Sequence, residues 1–290
     1  MRPVPPQVLL LGSIASVQFG AAFAIELFAR AGPGGVVFLR LGLAALMLVA
    51  AVRPSLRGRT RGDLRAVLAY GLILGVMNWS FYESLDRLPI GVAVTIEFVG
   101  PLAVAIAGSR HVIDLLWAAL AGGGVVLLAF RGETSGISAV GVLLALIAGA
   151  CWAAYILVSK RVGATFAQLD GLAIALCVGT LVTLPVGLVQ GGSALLHPAV
   201  LAGGVAVALL SSIIPYSLEL IALRRLRAAT FGLLMSLEPA VAALAGVIVL
   251  GQTLHATTAV AIAMVVIASV GTTLTGRRSA IELEVAAGVQ

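Results

Sequence analysis

Apolar residues run through this chain in long blocks, broken at short intervals by arginine, proline, glycine or acidic residues. A helix rises about 1.5 Å per residue, so about 20 apolar residues cross the hydrocarbon core of a bilayer. Ten blocks come close to that length: residues 8–29, 34–52, 64–86, 89–108, 114–131, 139–158, 168–189, 199–222, 226–250 and 256–276. The pattern predicts an all-α membrane protein with ten transmembrane helices. The connections between blocks are short and leave no room for an extramembrane domain. The tail from Arg277 is polar and acidic and is expected to fray.

Composition agrees with the pattern. Hydrophobic residues make up 61% of 290 and charged residues 10%, against about a quarter charged in a soluble domain. Mean hydropathy is +1.14. The first block, from Val8 to Ala29, is longer than the roughly 7–15 residues of a signal-peptide core, which predicts a retained helix. The net charge of +6 raises nucleic acid as a partner, but the arginines sit between blocks and form no groove or stripe, which argues against it. They set the topology instead. With the N-terminus in the cytoplasm, 14 of the 18 basic residues fall inside, among them Arg2, Arg110, Arg224 and Arg227. Only Arg30, Arg87 and Arg131 fall outside, and Arg40 lies within a span. Both termini are therefore expected to be cytoplasmic. Cys151 and Cys177 lie inside apolar blocks and read as small buried hydrophobes. His111, His197 and His255 stand in loops without ligand spacing, so neither a metal site nor a cofactor is expected.

Two stretches begin and end alike: "RLPIGVAVTIEFVGP" (87–101) and "RLRAATFGLLMSLEP" (225–239). They enter the fourth and ninth blocks, five apart, and because five is odd the two halves cross in opposite directions. This predicts two inverted five-helix repeats, 1–131 and 139–276, followed by a short cytoplasmic tail, 277–290. Such repeats place a binding site near the midplane between them and permit alternating access.

The polar residues inside the blocks are the candidate chemistry. Glu97 lies roughly 12 Å into its span at the helical rise. Pro101 has no N–H to give to the carbonyl of Glu97, so a carboxylate and a free carbonyl are offered together to a cation or amino group. Glu238 directly precedes Pro239, close to the matching place on the ninth span. Asn78 and Tyr82 share a face at i,i+4, whereas Glu83 and Asp86 stand near the outer end and read as wet. Ala145, Gly149 and Ala153 form a small-residue ridge beside Trp152 and Tyr155, and Gly71 with Gly75 form another. Pro215 frees the carbonyl of Ser211 by the same i−4 argument, and Ser212, Tyr216 and Glu219 make a stripe. Glu219 is expected to pair with Arg224 or Arg225. Gln18 lies mid-span in the first helix, and Arg40 reads as a structural ion-pair partner for Glu26. Glu97, Glu238, Asn78 and Tyr82 have an alternative reading as bonds between helices, and Trp152 and Tyr155 as ordinary core packing. No nucleophile–base pair, phosphate-binding loop or nucleotide domain is present in the sequence, so the chain does not read as an enzyme or an ATP-driven pump.

With "EFVGPLAVAIAGSR" and "MSLEPAVAALAGVIVLGQTL", the five-plus-five arrangement resembles the drug/metabolite transporter superfamily in its EamA-type branch. More narrowly, "SVQFGAAFA", "MNWSFYESLDRLPIGVAVTIEFVGPLAVA", "AGACWAAYILVSKRVGA" and "IPYSLELIALRRL" are similar to the exporters of threonine and homoserine in the bacterial cytoplasmic (inner) membrane. The resemblance implies a secondary transporter exporting small neutral amino acids. Its alternatives are an exporter of aromatic amino acids and organic cations, or, from another class, a membrane scaffold or receptor that transports nothing. In the transporter reading the substrate-binding candidates are Gln18, Asn78, Tyr82, Glu97, Trp152, Tyr155, Ser211, Tyr216 and Glu238. Pro101, Pro215 and Pro239 supply bends. Partners are the amino-acid substrate, the lipid bilayer and, if transport is coupled, protons. Whether the protein is a monomer or a homodimer stays open.

Overall fold

In an apolar surrounding every backbone N–H and C=O must find its partner within the chain, and the helix does this segment by segment. The computed structural model follows that rule. It describes residues 4–107, 112–131, 138–166, 169–223, 225–226 and 228–286. Arg2, Arg110, His111, Arg224 and Arg227 lie outside the described residues. The helices are α1 (Pro6–Glu26), α2 (Phe28–Val52), α3 (Arg61–Leu85), α4 (Ile90–Glu97), α5 (Val99–Ala107), α6 (Ile113–Arg131) and α7 (Ala139–Thr165). They continue with α8 (Asp170–Gly191), α9 (Pro198–Ala208), α10 (Ile214–Leu223), α11 (Ala228–Met235), α12 (Glu238–Leu250) and α13 (Ala256–Ala286). Among the described residues there is no strand.

Joined end to end, α4 with α5, α9 with α10 and α11 with α12 make three interrupted spans, and the other helices stand for one span each. Among the described residues, nine such stretches are long and apolar enough to cross a membrane, and Ile113–Leu128 adds a shorter one. These are the ten apolar blocks of the sequence. One end departs from expectation: the backbone beyond Arg277 stays helical to Ala286 as part of α13.

Small residues set how closely the spans approach. A Cβ on Gly71 would meet the carbonyl of Ala175 at 2.9 Å, and one on Gly75 would meet the Cα of Gly179 at 3.0 Å, so α3 and α8 touch backbone to backbone. This is the packing predicted for Gly71 and Gly75. Similarly, a Cβ on Gly149 of α7 would lie 2.6 Å from the carbonyl oxygen of Glu97. The principal helix pairs are α2 with α8, α3 with α7 and with α8, α1 with α10 and α12, α4 with α12, and α6 with α13. The capping box expected of a good helix start appears at α3, where the Asp63 N–H donates to Thr60 and the Asp63 carboxylate accepts from the Thr60 N–H.

Candidate functional site

Both mid-span carboxylates stand at helix joints. The fourth span breaks at Phe98, and Glu97 is the last residue of α4. The ninth span breaks at Ser236 and Leu237, and Glu238 is the first residue of α12. The prolines explain why these places can break. Pro101 sits in the first turn of α5 and Pro239 in that of α12, where the missing N–H leaves no helical bond unmade. Glu97 is 7% exposed and Glu238 5%. Glu238 also lies among the unpaired N–H groups at the start of α12, a favourable place for negative charge. The free carbonyl of Glu97 does not open toward a cation as expected, because it faces Gly149, whose lack of a side chain lets α7 close over it.

The eighth span is interrupted differently. Leu209–Ile213 form a π-helical turn, with the Ile214 N–H bonded to the carbonyl of Leu209, one residue further back than in an α-helix. Pro215 follows and cannot donate to Ser211. The freed Ser211 carbonyl accepts from Nη2 of Arg40 at 2.8 Å. The same guanidinium donates through Nη1 to the Tyr82 hydroxyl at 3.2 Å and through Nε to Ser212 Oγ at 3.3 Å. Arg40 therefore joins the second, third and eighth spans. The expected pair with Glu26 does not form: Glu26 is exposed, whereas Arg40 is buried and its hydrogen bonds go to neutral groups. Nor does Glu219 pair with Arg225. It accepts from the Ser13 hydroxyl at 2.8 Å, because α1 packs along α10 and brings Ser13 to it.

The aromatic candidates take different neighbours. Tyr155 stacks on Tyr70, ring centroids 4.8 Å apart, and Trp152 meets Phe98 edge to face at 5.8 Å, beside the joint at Glu97. Tyr216 lies within electrostatic reach of Arg40 and Glu219. Glu97 is within such reach of Arg40, and Glu238 of both Glu219 and Glu97. Thus Tyr82 and Ser211 bond Arg40 directly, Glu97 and Tyr216 lie within its electrostatic reach, Glu238 lies within reach of Glu97 and Tyr155 of Tyr216, and Trp152 stands at the Glu97 joint through Phe98. Two candidates stand apart from these contacts. Asn78 donates to the carbonyl of Leu74 in its own helix, and the buried Oε1 of Gln18 has no partner. The hydroxyl of Ser211 is likewise buried without one.

Glu83 corrects another expectation. It is buried, not wet: one oxygen pairs with Arg87 at 2.7 Å and the other accepts from Gln190 Nε2 at 2.7 Å. Gln190 in turn accepts from the Gly34 N–H at 2.6 Å, just past a break at Gly32 (φ 66°) and Pro33. Sequence reasoning passed over Arg40 as a hub, together with Tyr70, Ser13 and Gln190. For Tyr70 a signal existed, since Tyr70, Leu74, Asn78 and Tyr82 recur at i+4 on one face of α3. A separate hollow of about 660 Å³ lies between Arg30 and residues 193–200, and none of the candidate residues lines it.

Residues 139–274 match the model of the EamA-like transporter family. The threonine/homoserine exporter RhtA of Salmonella typhimurium is 44% identical over 274 residues, which cover 94% of this chain and 92% of that protein. The threonine/homoserine exporter RhtA of Escherichia coli is 45% identical over 282 residues, 96% of this chain and 95% of that protein. A crystal structure of a protein only 20% identical superposes with a TM-score of 0.63 over 93% of this chain and 97% of that one, and so shares the fold. Likeness to the exporters along nearly the whole length, with the family match across its second half, shows that the chain belongs to the EamA-like transporter family.

Proposed function

We propose that this chain is a secondary transporter that exports small neutral amino acids, threonine and homoserine foremost, across the bacterial cytoplasmic membrane by alternating access. What carries this is the likeness at 44% and 45% identity to proteins named as threonine/homoserine exporters, over more than nine-tenths of their length. The architecture supports it. If spans one to five and six to ten are inverted repeats with both termini cytoplasmic, a two-fold relation matches span two with seven, four with nine and five with ten. It also exchanges the pair three–six with the pair eight–one. The helix pairs α2–α8, α4–α12, α6–α13, α3–α7 and α1–α10 follow that scheme.

In this reading Glu97 and Glu238, at the two broken spans, draw the substrate ammonium, and Glu97 is the carrier of a proton if transport is coupled to one. Gln18, Asn78 and Ser211 supply hydrogen bonds to the amino acid. Tyr82, Trp152, Tyr155 and Tyr216 bound the space its side chain occupies. The joints at Pro101, Pro239 and Pro215 are where the spans bend between the two states. A second reading, export of aromatic amino acids and organic cations, is favoured by the stacked Tyr70 and Tyr155 and by two buried carboxylates, Glu97 and Glu238, within electrostatic reach of each other. Proteoliposomes loaded in turn with labelled threonine, homoserine, methionine and phenylalanine separate the two, with and without a pH gradient. Saturable efflux selective for threonine and homoserine is the expected result. Efflux led by phenylalanine establishes the second reading, and efflux of none refutes transport of amino acids.

A further inference from the structure

Arg40 is 8% exposed, yet each hydrogen bond it makes goes to a neutral group: the Tyr82 hydroxyl, the Ser212 hydroxyl and the Ser211 carbonyl. Among the described residues it forms no ion pair. Neutral acceptors satisfy its N–H groups but leave its charge uncancelled, and an unpaired charge within a span is costly. Glu97 acts on Arg40 through space but is not bonded to it. Glu238 in turn stands within electrostatic reach of both Glu97 and Glu219. The hydroxyl of Ser211, 3% exposed and on the turn that Arg40 grips, has no partner of its own. A buried guanidinium thus stands apart from buried carboxylates, with a spare donor beside it. That is the charge pattern complementary to a zwitterion.

On the reading of the chain as an amino-acid exporter, on which this rests, we propose that Arg40 recognises the α-carboxylate of the transported amino acid while Glu97 takes its ammonium end. The fork of the guanidinium suits a carboxylate in two parallel bonds. To make them, Nη1 and Nη2 exchange the Tyr82 hydroxyl and the Ser211 carbonyl for the two substrate oxygens. Ser211 is then released by the arginine that held it, and because Pro215 cannot replace the bond, the π-helical turn is freed to rearrange. Recognition of the carboxylate is in this way linked to movement of the eighth span, and a solute lacking a carboxylate neither binds well nor loosens the turn.

The test uses the full-length protein in proteoliposomes and compares threonine with threoninol, the amino alcohol that keeps the ammonium and side chain but has no carboxylate. With the unmodified protein, threoninol is expected to compete with labelled threonine at least about tenfold more weakly than threonine itself. With Arg40→Gln, threonine efflux is expected to fall at least about tenfold, toward the low level of threoninol, whose own efflux falls by a smaller factor because it never used the carboxylate contact. Arg40→Lys, which keeps the charge without the fork, is expected to fall between. Equal competition by the two solutes on the unmodified protein overturns the proposal with no variant needed. So does an equal loss of both in Arg40→Gln, which is what a purely structural arginine gives. Failure of the unmodified protein to move any amino acid removes the exporter reading itself, a result distinct from either.

Discussion

Glu97 and Glu238 gain their meaning from what each stands beside. Each is buried at a joint, Glu97 as the last residue of α4 and Glu238 as the first of α12. Glu97→Gln keeps the volume and removes the charge. We expect efflux of threonine to fall by at least about tenfold, from the lost charge-assisted contact with the ammonium. Efflux that runs unchanged across pH in this variant contradicts the role given to Glu97. Gly149→Ala acts on the same joint without touching charge. Its new Cβ meets the Glu97 carbonyl oxygen at 2.6 Å and the Glu97 Cα at 3.3 Å, and crowding of this kind costs about 1–3 kcal/mol. Thermal unfolding in detergent checks it, and a variant as stable as the parent argues that α7 does not close over the joint.

The spans that break do so at prolines, yet by different means. In the fourth and ninth the proline begins a new helix; in the eighth it follows a π-helical turn whose freed carbonyl is held by another span. Pro215→Ala restores an N–H for Ser211 and lets the turn relax toward a regular helix. We expect equal or greater thermal stability and slower efflux, measured on the same preparation; an unchanged rate means that the turn does not move in transport. Gln190→Ala removes a bridge between the Glu83 carboxylate and the Gly34 N–H. Leaving those groups unpaired costs about 1–3 kcal/mol, so unfolding is expected at lower temperature. A melting temperature equal to the parent's shows that water or another group serves them. The prolines at 101, 215 and 239 were legible in the sequence because the missing N–H is a local fact. The partners of Arg40, Glu83 and Glu219 were not. They lie on spans far away in the chain, and an apolar pattern says that two helices touch without saying which polar atoms meet.

Across the whole molecule, the number of spans and the membrane class followed from the length and uniformity of the apolar blocks. The family was carried by motifs such as "EFVGPLAVAIAGSR". The shape of the site was not legible, because Arg40 reads in sequence as one more basic residue needing an acid. On the alternating-access proposal, a single path, opened by turns to either side, passes the residues around Arg40. The most direct test is thiol accessibility in a background with Cys151→Ala and Cys177→Ala, carrying Ser211→Cys or Asn78→Cys. Membrane-impermeant reagents are applied from one side of sealed vesicles and then from the other. Labelling of Ser211→Cys is expected from both sides, and more slowly when threonine is present. Labelling from one side alone, or at a rate that threonine leaves unchanged, contradicts the proposal.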